Sequence, residues 1–273
     1  MSAVVLDAVV QGHARQLRLP TLGREYAAVA RRATEEGWPY GEYLRELLES
    51  ELRTRQDNAA RRLVKQAGFP DVKTMDQIEW DALQGISRPK ILELASGQFI
   101  EEAEDVVIAG PIGTGKTHLA IALGVEAARR RIPVAFHKAA DLVRDLMEAR
   151  DERTLSRLHR RYKKIPLLIV DELGFVPFKR DGGELLFNLL ADRYERHSTL
   201  VTTNLAFAEW VQVFGDEKLT TALLDRLAHH AHVMATKGKS YRTGRGKRLD
   251  SSGPADKSRC EPVAQIQAEE ERS

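Results

Sequence analysis

Residues 110–117 read Gly-Pro-Ile-Gly-Thr-Gly-Lys-Thr. This is the phosphate-binding loop pattern G-x-x-x-x-G-K-[ST], and it has meaning only between a buried strand and the start of a helix. Both neighbours are present. Val106-Val107-Ile108-Ala109 is a short apolar run of strand type, and His118-Leu119-Ala120-Ile121-Ala122-Leu123-Gly124 reads as a helix. Gly110, Gly113 and Gly115 let the backbone curl until amide N–H groups converge on an anion. The helix start adds a favourable electrostatic site for phosphate. The candidate nucleotide-binding set is therefore Gly110, Pro111, Ile112, Gly113, Thr114, Gly115, Lys116, Thr117 and His118. Lys116 is placed for the β- and γ-phosphates and Thr117 for Mg²⁺, so the loop points to ATP or GTP with magnesium.

Around this loop the pattern predicts α/β architecture. Strands are expected at 106–109, 134–137, 167–170, 199–203 and 232–236, with amphipathic stretches at 116–130, 139–162, 183–197 and 219–230. Short apolar runs alternating with longer helices make a mostly parallel sheet covered on both faces. Upstream the period is helical from Thr21 to about Lys65, broken at Gly37-Trp38-Pro39. Residues 1–20 read as short, partly ordered fragments. Residues 67–85 read as a connector, and Ile91, Leu92, Leu94 and Ala95 as one more helix. Beyond residue 248 the chain is polar, with the composition of a disordered tail.

The 273 residues carry 42% hydrophobic and 30% charged side chains, enough for a core, and a net charge of +2 that selects no partner class. The one cysteine, Cys260, permits no internal disulfide, and there is no apolar run of membrane-spanning length or signal-peptide layout. A cytoplasmic protein with no membrane partner is expected. Local charge is more telling. Lys237 to Arg248 carries Lys237, Lys239, Arg242, Arg245, Lys247 and Arg248 without an acid. Arg129-Arg130-Arg131 and the stretch 150–164 are also basic. Such segments neutralise nucleic-acid phosphates without reading sequence.

Leu167-Leu168-Ile169-Val170-Asp171-Glu172 is a strand that ends in two carboxylates. Functional groups of an open α/β sheet stand at the carboxyl ends of strands. Asp171 is the second candidate magnesium ligand, and Glu172 the base for an attacking water. Asn204, after Thr202-Thr203, either bonds the γ-phosphate or the water, or starts a turn. Arg226 is either an arginine finger acting on a neighbouring subunit or half of a surface pair with Asp225. The histidines at 229, 230 and 232 lack the companions of a metal site. The guanine-reading pattern Asn-Lys-x-Asp is absent, which disfavours a GTPase.

Gly110–Thr117, Asp171-Glu172, Thr202-Thr203-Asn204 and Leu224-Asp225-Arg226-Leu227-Ala228-His229-His230 together resemble the IstB family over about residues 17–245. The phrases Thr-His-Leu-Ala-Ile-Ala-Leu-Gly (117–124) and Gln98-Phe99-Ile100-Glu101 add to the likeness. IstB proteins are AAA+ ATPases encoded beside an insertion-sequence transposase and are relatives of the helicase loader DnaC. The resemblance implies an AAA+ P-loop NTPase fold with a five-stranded parallel sheet, in a domain spanning 86–248. A helical N-terminal region would occupy 1–85 and a disordered polar tail 249–273. It implies that Asn204 is the first sensor, Arg226 the finger, and Arg242 a second sensor of the γ-phosphate. It also implies ATP-dependent self-association, double-stranded DNA and a transposase as partners, and catalysis by Lys116, Glu172, Asn204 and Arg226. A DnaC-like helicase loader is the alternative.

Overall fold

The computed structural model describes residues 3–175 and 178–238. Five strands form a single parallel sheet: β1 (Asp105–Ala109), β2 (Val134–Lys138), β3 (Leu167–Leu173), β4 (Ser198–Thr203) and β5 (Ala231–Ala235). Their order is β2-β3-β4-β1-β5. β1 thus lies between β4 and β5, and the loop after β1 opens beside the ends of both. Each strand begins or ends within one or a few residues of its apolar run, because a parallel strand covered on both faces reads as a continuous apolar stretch.

Alternate strand residues face opposite cores. Val106, Ile108, Leu167, Ile169, Leu200 and Met234 pack under α4 (Arg88–Ala95) and α6 (Lys116–Arg129). Val107, Leu168, Val170 and Val201 pack under α7 (Ala139–Asp151), α9 (Arg180–Arg193), α10 (Val211–Phe214) and α11 (Glu217–His230). α5 (Gln98–Glu101) adds Phe99 and Ile100 to the first core.

The stretch read as one helix over 139–162 is two. α7 ends at Asp151, Arg153 takes a left-handed φ of 57°, and α8 runs Leu155–Tyr162. Arg153 in that conformation cannot continue a right-handed helix. The helix expected at 183–197 begins and ends earlier, at Arg180 and Arg193, where Tyr194 turns to extended backbone.

The N-terminal segment is more ordered than its sequence suggested. Residues Ala3–Gln16 form α1, which packs on α2 (Pro20–Glu36) where Gly23 meets Ala14. α2 pairs with the long α3 (Tyr40–Gln66). Glu51 of α3, 3% exposed, accepts hydrogen bonds from the Thr21 and Leu22 amides at 2.8 and 3.1 Å. A carboxylate here satisfies orphan donors at the start of α2. The far end of α3 reaches the ATP-loop domain, where Leu63 and Val64 pack on the first core. The Ala67 carbonyl accepts the Phe136 amide at 2.7 Å, covering the edge of β2.

Candidate active site

The loop after β1 has the backbone its sequence requires. Gly110, Gly113 and Gly115 have φ of 141°, 82° and 90°, and α6 starts directly at Lys116. A Cβ at Gly110 would lie 2.1 Å from Thr236 Oγ1, so only glycine fits there. The Lys116 ammonium, 9% exposed, donates to the Gly110 and Pro111 carbonyls at 2.7 Å each. The Thr114 hydroxyl also bonds the Pro111 carbonyl at 2.8 Å and lies 2.7 Å from Thr236 Oγ1, just past β5. Ile112 stands at the exposed tip, 59% accessible. Beside this contact the Gln84 carbonyl accepts the Lys237 amide at 2.7 Å in a short antiparallel bridge.

Strand order brings the two magnesium candidates together. Thr117 Oγ1 donates to both Asp171 oxygens, at 2.9 and 3.1 Å. Thr202 Oγ1, on the strand between, donates to Asp171 Oδ1 at 2.5 Å. Asp171 is 1% exposed, and burial raises its proton affinity while the Thr202 and Thr117 bonds lower it. A hydroxyl and a carboxylate sharing one site are the hard oxygen donors that Mg²⁺ takes. With the glycine loop and Lys116 above them, the residues present fit a magnesium nucleotide.

Glu172 follows in a left-handed conformation, φ 59°. Its amide donates to Thr202 Oγ1 at 2.9 Å, and its carboxylate reaches Lys138 at the end of β2, 3.1 Å away. The hydrogen bond and charge of Glu172 raise the Lys138 pKa above the usual lysine range. Sequence reasoning missed Thr202 and Lys138. Lys138 ends a strand and pairs in register with Asp171, a relation that appears only once strands are paired.

Asn204 leaves β4 next to Gly110, whose amide donates to the Thr203 carbonyl at 3.1 Å. Its side chain bonds no described residue. Arg226 lies on α11, away from this chain's own loop. Its guanidinium carbon is 5.7 Å from the Phe187 ring centre and 5.8 Å from that of Tyr194. Arg242 lies outside the described residues.

The connector at 67–85 contributes a wall that periodicity could not show. Single turns of 3₁₀ helix at Met75–Gln77 and Trp80–Ala82 close a cavity of about 350 Å³ against the loop and α6. Ile78, Leu83 and Leu119 are apolar there, and Gln77, Glu79 and His118 are polar. Burial lowers the His118 pKa below the usual imidazole range. Among the described residues no group of three or more metal-ligating side chains occurs, and no helix is long and apolar enough to cross a membrane.

Comparison with known proteins agrees with this geometry. The family described as IstB-like ATP binding protein matches residues 12–249. A protein of Pseudomonas aeruginosa named as an ATP-binding protein of insertion sequence IS21 is 39% identical over 227 residues, 83% of this chain and 86% of its own length. One of Geobacillus stearothermophilus, named for insertion sequence IS5376, is 36% identical over 247 residues, 90% and 98% of the two chains. Among solved structures the DnaC helicase loader superposes with a TM-score of 0.51 at 21% identity, over 62% of this chain and 98% of that one. The replication initiator DnaA bound to AMPPCP and single-stranded DNA gives 0.52 at 19%, over 67% and 56%. These likenesses show the AAA+ P-loop fold. This chain is a member of the IstB-like ATP-binding protein family.

Proposed function

We propose that this chain is a cytoplasmic ATPase that assists transposition. It oligomerises with ATP on duplex DNA and activates the transposase encoded beside it. The observation that carries the ATPase reading is the Thr117–Asp171–Thr202 hydrogen-bond set, which joins the start of α6 to β3 and β4 beside the glycine loop. The insertion-sequence names of relatives that are 36–39% identical support the transposition role.

Bound Mg²⁺–ATP supplies the scissile phosphoanhydride and a cation that offsets its charge. The chain's residues do the rest. The amides of the loop hold phosphate oxygens, and Lys116 turns its ammonium from the Gly110 and Pro111 carbonyls to the β/γ oxygens. Thr117 and Asp171 hold the metal. Glu172 accepts a proton from the attacking water, and Asn204 orients that water or the γ-phosphate. Arg226 stabilises developing charge in the site of the next subunit, with Arg242 as the second sensor. The cavity bounded by Ile78 and Leu83 takes the base.

For DNA, the described basic segments divide clearly. Arg129 pairs with Glu126, and Arg130 bonds the Ala95 carbonyl. On α8 and its flanks, Arg153, Arg157, Arg160, Arg161 and Lys164 are exposed, and their charged side chains make no hydrogen bond or ion pair with a described residue. That unpaired face supports phosphate binding by α8 alongside Lys237, while Lys239, Arg245, Lys247 and Arg248 lie outside the described residues. We assign residues 1–85 as the helical N-terminal region and 86–248 as the ATPase domain; the polar tail expected at 249–273 lies outside the described residues. The DnaC-like fold supports the alternative of a helicase loader. Sizing by light scattering and phosphate release, each with and without ATP and duplex DNA, test the proposal. Failure to release phosphate from ATP, or assembly that neither ATP nor DNA changes, would overturn it.

A further inference from the structure

The surroundings of Arg226 contain an arrangement that the ATPase reading does not use. Two aromatic rings, Phe187 midway along α9 and Tyr194 just past its end, lie at nearly equal distance from the guanidinium carbon, 5.7 and 5.8 Å. No carboxylate or carbonyl of a described residue bonds it. The framework beneath is rigid. Leu223, one turn earlier on α11, is buried, and Phe187 is 9% exposed. Arg193, adjoining Tyr194, is 0% exposed and donates to the Tyr162, Ile165 and Ser198 carbonyls at 2.5, 2.9 and 2.7 Å.

We propose that Phe187 and Tyr194 form an aromatic clamp that positions the Arg226 guanidinium for the nucleotide of a neighbouring subunit. Cation–π contact with two rings holds the guanidinium without using its N–H donors, whereas an ion pair would consume them. The fork is then held before the interface forms, and little rotamer freedom is lost when a phosphate is met. Lysine does not replace it, since an ammonium lacks the planar fork of donors. The clamp rests on the finger reading of Arg226, and the rings are positioning residues.

The test uses full-length protein and steady-state ATP hydrolysis with duplex DNA. Tyr194 is partly exposed, so Tyr194→Leu removes one ring without opening the core. Turnover should fall roughly ten- to a hundredfold, as for a misplaced catalytic group, with KM and ATP affinity unchanged. Tyr194→Phe keeps the ring and should turn over as wild type. Arg226→Lys keeps the charge without the plane and should be impaired at least as much as Tyr194→Leu. Mixing Tyr194→Leu with Lys116→Ala should restore turnover, because the second subunit brings a well-held finger to the intact nucleotide site of the first. Loss of that recovery, with co-assembly demonstrated, would place the damage in cis and overturn the clamp. Wild-type turnover in Tyr194→Leu, beside an inactive Arg226→Ala that mixing rescues, would overturn the clamp and leave the finger standing. Wild-type turnover in Arg226→Ala would overturn the finger itself.

Discussion

Thr202→Val is the most informative single change. Valine has nearly the shape of threonine, and Thr202 is 1% exposed, so packing survives while the hydroxyl is lost. That hydroxyl has two duties: it donates to Asp171 Oδ1 at 2.5 Å and accepts the Glu172 amide at 2.9 Å. A hydrogen bond to a charged group contributes about 1.5–3 kcal/mol, and an amide left unpaired costs about 1–3 kcal/mol. The Glu172 amide is only partly buried and recovers some solvation, so the sum is about 3 kcal/mol. For a chain of this size that lowers Tm by about 6–12 °C. Thr202→Ser keeps both bonds and loses one methyl, costing about 1 kcal/mol. The functional effect follows from φ 59° at Glu172, a conformation that costs about 1 kcal/mol or more and is held by the lost bond. Freed of it, the carboxylate leaves the water position and turnover falls about tenfold, while ATP affinity changes less than about threefold. Urea unfolding and steady-state phosphate release measure both effects. The reasoning fails if Val and Ser variants are equally stable, or if Thr202→Val turns over like the wild type.

Further outcomes follow from the same geometry. Lys116→Ala should abolish ATP binding by calorimetry, since the charge now on the Gly110 and Pro111 carbonyls is the one that meets phosphate. Glu172→Gln should bind ATP but not hydrolyse it and should stay on duplex DNA, read by filter retention in ATP. Replacing Arg157, Arg160 and Arg161 by glutamine should weaken binding to all duplexes alike and reduce its salt slope by up to about 3, measured by anisotropy across a salt series. Stability should fall as pH drops below about 6.5. Burial lowers the pKa of both His118 and His137, so the unfolded chain binds the extra protons and the loss levels off below the native values. Replacing both by glutamine should flatten that arm of the denaturation profile.

The strands and the loop were legible because their signals are local. Val106–Ala109 lies within β1 and Gly110–Thr117 has the required turn conformations, since alternation and glycine placement act over a few residues. Asp171 and Glu172 could be placed for a similar reason, at the end of an apolar run. What escaped depends on contacts distant in sequence. Thr202 looked like one more strand threonine until pairing put it beside Asp171, 31 residues away. Arg193, on a helix otherwise read as amphipathic, is buried because four loop and strand carbonyls surround it, and burial brings its pKa down to about 10. The connector lacked periodicity because its Ile78 and Leu83 serve a cavity rather than a helix face.

The bridge between Gln84 and Lys237, next to the Thr114–Thr236 hydroxyl contact, makes the sheet domain a closed circuit. The chain enters from the N-terminal helices and leaves toward the basic segment through the same few ångströms, and the glycine loop is hydrogen-bonded to that crossing. A pull on either strand of the crossing is therefore transmitted to the phosphate cradle through two hydroxyls and one amide. Under the proposed function, a load on the segment before Gln84 or on the one after Thr236 would meet the other at this one point, beside the glycine loop.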